Sequence, residues 1–307
     1  MSNPLPPMVS GLELWQWCQE ARKAAYQAEV PPAELHWLLQ EVAGLDKLAL
    51  RLESFKDKPQ IQLTLPLSEL ANLWQQRIDK RTPVQYLIGL APWRNFSLAV
   101  SPAVLIPRPE TECLIDLAVA AVQNRPTLQL ESGNWADLGT GSGAIALGLA
   151  DAFKTATIHA VDFSPAALAI AQQNAQQLGF TNRIRFYQGC WWEPLNALKG
   201  QLNGMVSNPP YIPSSLVPQL QPEVAWHEPH LALNGGDDGL DCIRHLVDTS
   251  PAYLCPGGIW LIEMMAGQAP AVAELLHQQG SYCQIQIFSD LAGIERFALA
   301  YRTVDNG

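Results

Sequence analysis

From about residue 108 onward, short apolar runs typical of β-strands alternate with helical patterns. Such alternation indicates a parallel sheet with helices on both faces, because a crossover helix returns the chain between parallel strands. The clearest helix covers residues 164–178, where Ser164 is a suitable N-cap and Pro165 occupies the first turn. We therefore predict an α/β fold whose sheet contains seven strands. These are residues 135–138, 157–163, 184–188, 204–207, 258–264, 282–288 and 296–301.

The first part of the chain has a different character. Between residues 11 and 82, apolar residues recur at spacings of three to four, which indicates a small helical bundle. Pro83 ends this pattern, and residues 83–107 combine strand-forming side chains with Gly and Pro. That composition predicts a β-hairpin or extended linker. We therefore expect a bundle over 1–82, a linker over 83–107 and an α/β domain over 108–307.

The charge of the chain is negative and uneven. The formal net charge is −10; residues 1–83 carry 9 Lys/Arg and 10 Asp/Glu (−1), and residues 84–307 carry 10 and 19 (−9). This balance argues against a protein that wraps nucleic acid, and it would steer a basic partner to the C-terminal part.

The cysteines and the hydropathy pattern limit the environment of the protein. The 6 cysteines lie far apart without a C-x-x-C pair, which favours reduced thiols over a disulfide or metal framework. No run of about 18 apolar residues and no secretory signal pattern occurs. We therefore expect a cytoplasmic monomer that binds neither a metal nor a membrane.

A glycine-rich loop follows the first strand of the predicted sheet. It reads Asp137-Leu-Gly-Thr-Gly-Ser-Gly143 and leads into a helix. Glycine lets the backbone approach a ligand closely, and ligands bind at the carboxyl ends of such strands. The second strand ends at Asp162, whose carboxylate could accept hydrogen bonds from both hydroxyls of a ribose. The loop alone fits either a dinucleotide or S-adenosyl-L-methionine.

The stretch Asn208-Pro-Pro-Tyr211 follows the fourth strand, which lies beside the first in a sheet of this order. The prolines hold Asn208 and Pro209 rigid. The Asn208 side-chain oxygen and the Pro209 carbonyl could accept the hydrogens of a planar NH₂ group and hold its nitrogen in line with a methyl donor. Tyr211 could stack on that group, and the Asn208 NH₂ would remain free for the substrate carbonyl. This arrangement predicts methyl transfer to an amide or aromatic amine.

Together these motifs resemble those of the HemK/PrmC family, the peptide chain release factor N5-glutamine methyltransferases. The resemblance covers residue 80 to the C-terminus, and the helical N-terminal part also fits that family. It is carried by the two motifs above and by residues 83–89, 104–112, 160–168 and 228–233. It implies a class I adenosylmethionine-dependent methyltransferase fold with a Rossmann-like seven-stranded sheet. It also implies methyl transfer to the glutamine N5 of the Gly-Gly-Gln motif in bacterial release factors, which modulates translation termination.

The resemblance implies a role for each matching residue. The cofactor, which leaves as S-adenosyl-L-homocysteine, would contact Trp191 beside the adenine, Asp162 at the ribose and Asn208. The methionine end would lie on Gly139, Thr140, Gly141, Ser142 and Gly143. Asn208, Pro209, Pro210 and Tyr211 would bind the substrate glutamine, and all but Pro210 would act in catalysis. The family commonly has an acidic residue before the tryptophan; Cys190 stands there, which leaves adenine recognition to backbone groups.

Two other classes of function stay open at this point. An adenine-N6 methyltransferase on DNA or RNA fits Asn-Pro-Pro-Tyr, although the acidic charge and the lack of a basic, aromatic-rich domain count against it. A nicotinamide oxidoreductase or a catalytically silent nucleotide-binding protein fits the glycine loop alone. We expect no direct DNA contact, and we expect the N-terminal bundle to dock the release factor.

Overall fold

The computed structural model describes residues 6–304, and the chain forms two compact units. The first unit comprises the chain up to Gly89 together with Pro222–His227; the second comprises Leu90–Gln221 and the chain from Glu228 onward. Among the described residues, no helix combines the length and apolar character needed to cross a bilayer.

The first unit is mainly helical. Its strands β1 (Met8–Val9) and β2 (Ile61–Gln62) form a short antiparallel pair. Its helices are α1 (Gly11–Gln27), α2 (Pro32–Glu41), α3 (Lys47–Leu52), α4 (Leu67–Asp79), α5 (Val84–Ile88) and α9 (Pro222–His227). Leu14, Leu35 and Leu70 are fully buried in one apolar cluster, which is the core that the three-to-four spacing predicts.

A buried arginine explains why α9 belongs to the helical unit. The Arg77 side chain is 4% exposed; its Nε lies 2.5 Å from a Glu34 carboxylate oxygen and its Nη1 lies 2.8 Å from Glu223. Arg81 also pairs with Glu223. Because a buried charge requires compensation, this network ties α9 to α2 and α4.

The linker prediction is partly wrong. A β-hairpin is present, with β3 (Leu90–Trp93) paired to β4 (Phe96–Ala99), but the residues just before it form the helix α5. Pro83 precedes this helix and Gly89 ends it with φ +79. Such a short helix shows too little periodicity to be recognised in sequence. Its placement moves the first boundary between compact units from 82/83 to 89/90.

The second unit contains the predicted seven-stranded sheet. Its strands are β5 (Asn134–Leu138), β6 (Thr157–Asp162), β7 (Ile184–Gln188), β8 (Leu202–Ser207), β9 (Leu254–Glu263), β10 (Tyr282–Ser289) and β11 (Glu295–Arg302). Their order is β10-β11-β9-β8-β5-β6-β7. Of these seven strands, β11 runs in the opposite direction to the other six. All seven predicted strands are therefore confirmed. The strand β9 begins earlier than predicted because its pairing with β8 continues across a register shift.

Helices cover both faces of this sheet. They are α6 (Cys113–Gln123), α7 (Ala144–Ala152), α8 (Pro165–Gln177), α10 (Asp241–Thr249) and α11 (Ala269–Gln279). Trp135 packs in the cluster formed with α6 and α7, while its neighbour Ala136 packs in the cluster formed with α10 and α11. Neighbouring strand residues point to opposite faces, so both faces of β5 are buried. The carboxyl ends of β5, β6, β8 and β9 consequently meet at one edge.

Candidate functional site

A cavity of 360 Å³ lies within the second unit and is lined by residues that follow β5, β6, β7 and β8. Its size lies in the range of small-molecule sites. Among the residues singled out from sequence, the lining includes Gly139, Thr140, Gly141, Ser142, Asp162, Cys190, Trp191, Asn208 and Pro210. Of the other predicted site residues, Gly143, Pro209 and Tyr211 do not contribute to this lining within the described chain.

The glycine loop forms one wall of the cavity. Gly139, Gly141 and Gly143 have φ angles of +76, +53 and +85, in the left-handed region that glycine adopts without a steric penalty. A Cβ atom on Gly141 would meet no atom within 4 Å, so it would project into open space. A Cβ on Gly143 would instead lie 3.2 Å from Ala171 Cβ. Gly141 is thus the position where a ligand can lie directly against the backbone, whereas Gly143 permits helix packing.

Asp162 connects the second strand to the glycine loop. Its Oδ2 accepts from the Gly141 backbone N–H at 2.8 Å, and its Oδ1 accepts from the Ser164 N–H at 2.8 Å. Burial raises the pKa of Asp162, while these backbone donors lower it. The Asp162 carboxylate therefore holds the glycine loop by a hydrogen bond, and Asp162 also lines the cavity.

Trp191 places an indole ring in the cavity wall, next to Gly139 of the loop. It has a left-handed φ of +51, and its Cζ3 lies 3.7 Å from the position of a Cβ on Gly139. The following Trp192 is buried and stacks on Tyr253 at 4.4 Å between ring centroids. Of this adjacent pair, only Trp191 lines the cavity. Cys190 lines it too, with its backbone N–H already donated to Glu193.

The Asn208 amide is held at the end of β8. Ser207 Oγ donates to the Leu138 carbonyl at 2.6 Å, which ties the end of β8 to the end of β5. Asn208 Nδ2 donates to Thr111 Oγ1 at 3.3 Å, so one of its two N–H groups is not free, contrary to the expectation from sequence. None of the described residues donates to Asn208 Oδ1. The amide oxygen is therefore available as an acceptor.

The rest of the Asn-Pro-Pro-Tyr loop is braced by later segments. The Tyr211 carbonyl accepts from Gln268 Nε2 at 3.1 Å, and Ile212 forms a parallel bridge with Asn234. The Tyr211 hydroxyl donates to Glu263 at 2.9 Å, and burial raises the pKa of that hydroxyl. Tyr211 packs beside the cluster of α10 and α11. The loop backbone is thus fixed by hydrogen bonds in addition to its prolines.

Two residues of this site, Thr111 and Glu263, were not identified individually from the sequence. Thr111 lines the cavity, and Glu263 bonds both Thr111 and Tyr211. A signal for Glu263 existed, because it lies at the end of a predicted strand, where ligand-binding residues concentrate. Thr111 lies within the quoted segment 104–112, but nothing in its local sequence identifies its partner.

The buried Asp137 makes a testable difference to stability. Burial raises its pKa to about 7; its Oδ2 accepts from Thr140 Oγ1 and the Ala146 N–H, and its Oδ1 lacks a described partner. The pKa of Asp137 in the folded state lies above its ordinary value of 3.8. Protonation of Asp137 therefore stabilises the folded protein fully below pH 4, and this stabilisation is lost as the pH rises towards 7. We expect the unfolding free energy of wild type relative to Asp137→Asn to fall by on the order of 1 kcal/mol per pH unit in this window. Urea titrations of the ligand-free proteins at several pH values measure it, and a pH-independent difference contradicts it.

The sheet order and the glycine loop at its central strand define a class I adenosylmethionine-dependent methyltransferase fold. Residues 116–221 match the family model described as "Methyltransferase small domain". The crystal structure of the hMettl16 catalytic domain in complex with MAT2A 3'UTR hairpin 6 shares this fold, with a TM-score of 0.54 and 15% identity over 77% of this chain and 81% of that chain.

Curated relatives give the family. A Synechocystis sp. protein named release factor glutamine methyltransferase is 52% identical over 95% of this chain and 97% of its own length. A protein of the same name from Thermosynechococcus vestitus is 50% identical over 93% of this chain and 96% of its own. The chain belongs to the release factor glutamine methyltransferase family.

Proposed function

We propose that this protein transfers the methyl group of S-adenosyl-L-methionine to the side-chain N5 of the glutamine in the Gly-Gly-Gln motif of peptide chain release factors. The names of its relatives support the substrate class. The observation that carries the chemistry is the Asn208 amide: Asn208 lines the same cavity as the glycine loop, and no described residue donates to its oxygen. An oriented acceptor beside a ligand site is what an NH₂ nucleophile requires.

The lining residues fit the cofactor. The space next to Gly141, which a Cβ would fill, can take the methionine end, and the Asp162 carboxylate is available to ribose hydroxyls. Trp191 offers an indole surface to the adenine. When bound, the cofactor supplies an electrophilic methyl group and its own positive charge. In this proposal Gly139 to Ser142, Asp162, Trp191 and Asn208 contact the cofactor, with Gly143 supporting the loop through its packing.

The protein's contribution to methyl transfer is orientation. The Asn208 Oδ1 and the Pro209 carbonyl accept the two hydrogens of the glutamine amide, which directs the nitrogen lone pair at the methyl carbon. The Asn208 N–H that Thr111 does not accept can donate to the glutamine carbonyl. Pro210 lines the cavity, and Tyr211, which does not line it, would contact the substrate while its hydroxyl stays bonded to Glu263. Once methylated, the nitrogen is acidic, and one of the protons that the Asn208 and Pro209 carbonyls hold is released to solvent water.

A methyl-transfer assay with separate substrates tests this proposal. Purified release factor, the same factor with its Gly-Gly-Gln glutamine changed to alanine, bulk DNA and bulk RNA are each incubated with enzyme and cofactor and then analysed by mass spectrometry. We expect one methyl group on the glutamine of the unaltered factor and none on the altered one. Methylated adenine, with the release factor unmodified, would instead establish the nucleic-acid alternative.

The remaining parts of the functional prediction are unchanged. A monomeric state, a cytoplasmic location, no direct DNA contact and release-factor docking by the N-terminal unit stay predictions. Removal of residues 1–80 is a poor test of docking, because it removes Arg77, a partner of Glu223 in α9. Substitutions on the surface of the first unit avoid that problem.

A further inference from the structure

Glu263 is a buried carboxylate at the carboxyl end of β9. It is 1% exposed, and its neighbours Ile262 and Met264 are fully buried apolar residues. Burial of a carboxylate is costly unless its oxygens are hydrogen-bonded. Glu263 Oε2 accepts from Thr111 Oγ1 at 2.7 Å, and Oε1 accepts from the Tyr211 hydroxyl at 2.9 Å. An apolar residue would cost less free energy to bury at this position than a carboxylate. The two hydrogen-bond partners of Glu263 indicate why a carboxylate is present.

The bond to Thr111 determines what Thr111 can offer Asn208. A threonine hydroxyl has one hydrogen and two lone pairs. Because that hydrogen is donated to Glu263, Thr111 Oγ1 can only accept from Asn208, and Asn208 Nδ2 donates to it at 3.3 Å. Rotating the amide by a half turn would place Asn208 Oδ1 against a lone pair of Thr111. The Glu263 carboxylate thereby determines that the oxygen of the Asn208 amide, and not its NH₂ group, faces away from Thr111 and is available to another donor.

The second oxygen of Glu263 acts on the same loop. Through the Tyr211 hydroxyl it holds the residue three positions after Asn208. One carboxylate therefore bonds Tyr211, the last residue of the Asn-Pro-Pro-Tyr motif, and Thr111, the partner of its first residue Asn208. Arg296, the nearby cation on β11, is itself paired with Asp290 at 2.7 Å and leaves both Glu263 oxygens to the hydroxyls.

We propose that Glu263 is a positioning residue that acts through Thr111 to direct the Asn208 oxygen, rather than its NH₂, at the substrate nitrogen. This inference rests on the proposed function, since it concerns acceptance of the hydrogens of a glutamine amide. An asparagine turned the other way would present N–H to N–H, which neither binds the substrate amide nor orients its lone pair. The family motif thus depends on a residue outside it.

The test is a double-mutant cycle between Glu263→Gln and Asn208→Ala. Glutamine keeps the shape of Glu263 but replaces one carboxylate oxygen by an NH₂ group, so only one of its two terminal atoms can accept from a hydroxyl. In the wild-type background we expect Glu263→Gln to lower kcat for release-factor methylation by about tenfold to a hundredfold, by analogy with the loss of a group that orients a metal-ligating side chain. In the Asn208→Ala background the same change should cost clearly less, because the residue that Glu263 orients through Thr111 is gone and only the effect through Tyr211 remains. Single-turnover conditions keep the slow variants measurable.

Two further measurements separate positioning from general damage. The affinity for adenosylmethionine and the melting temperature of Glu263→Gln should stay close to wild type. An equal loss of kcat in both backgrounds, or an unchanged kcat in the wild-type background, overturns the inference. If Glu263→Gln does not fold, Thr111→Val interrupts the same relay with little change of shape, and the cycle is repeated with it. Failure of the wild-type enzyme to methylate a release factor would refute the proposed function instead.

Discussion

Replacing Asn208 by alanine is expected to lower kcat for release-factor methylation by about 10²- to 10³-fold, the loss typical of removing one preorganised hydrogen-bonding group from an active site. The Asn208 oxygen is expected to hold a hydrogen of the substrate amide, and alanine offers no acceptor at that position. The affinity for adenosylmethionine should change by less than about twofold, since the glycine loop, Asp162 and Trp191 remain in place. Single-turnover kinetics and a calorimetric titration of the cofactor measure the two quantities.

The matched control for this substitution is Asn182→Ala. Asn182 is exposed, in the turn before β7, so its loss should leave both kcat and cofactor affinity unchanged. A weakened cofactor affinity with normal turnover in Asn208→Ala would contradict the catalytic role. In that case Asn208 would be a cofactor ligand only.

Gly141→Ala should weaken the binding of adenosylmethionine at least about a hundredfold, because the added methyl group fills the space in which the cofactor would lie against the backbone. The apo protein should still fold, since that methyl group meets no protein atom within 4 Å. The left-handed φ of +53 adds a strain of about 1–2 kcal/mol for any residue with a Cβ. Thermal unfolding with and without cofactor separates the two effects.

Gly179→Ala is the control that isolates backbone strain. Gly179 lies just after α8 with a φ of +78, and a Cβ there also meets nothing within 4 Å. Gly179 does not line the cavity. Both variants should therefore lose similar stability without cofactor, and only Gly141→Ala should lose the stabilisation that cofactor gives to wild type. Equal cofactor stabilisation in both variants would show that the ligand does not lie against Gly141.

The local features of the molecule were accessible from sequence. Short apolar runs identify the strands, and spacings of three to four identify the helices, because both record which residues are buried; all seven sheet strands follow from the apolar runs. The glycines of 139–143 and the prolines of Asn-Pro-Pro-Tyr constrain the backbone within a few residues. Since parallel strands end at one edge, the motifs after β5, β6 and β8 could be placed at a common cavity from the sequence alone.

Tertiary structure alone decided the relations between distant residues. Thr111 and Glu263 are 152 positions apart in the chain, and their hydrogen bond leaves no trace in either local pattern. The same holds for α9, which falls in the chain between the two sequence segments that make up the other unit. The ion pair between Arg77 and Glu223 nevertheless joins α9 to the helical unit. Local sequence specifies which backbone conformations and which buried faces are favourable. Which side chains finally meet depends on the packing of the whole sheet, and in this protein that packing places a buried acid behind the asparagine of its central motif.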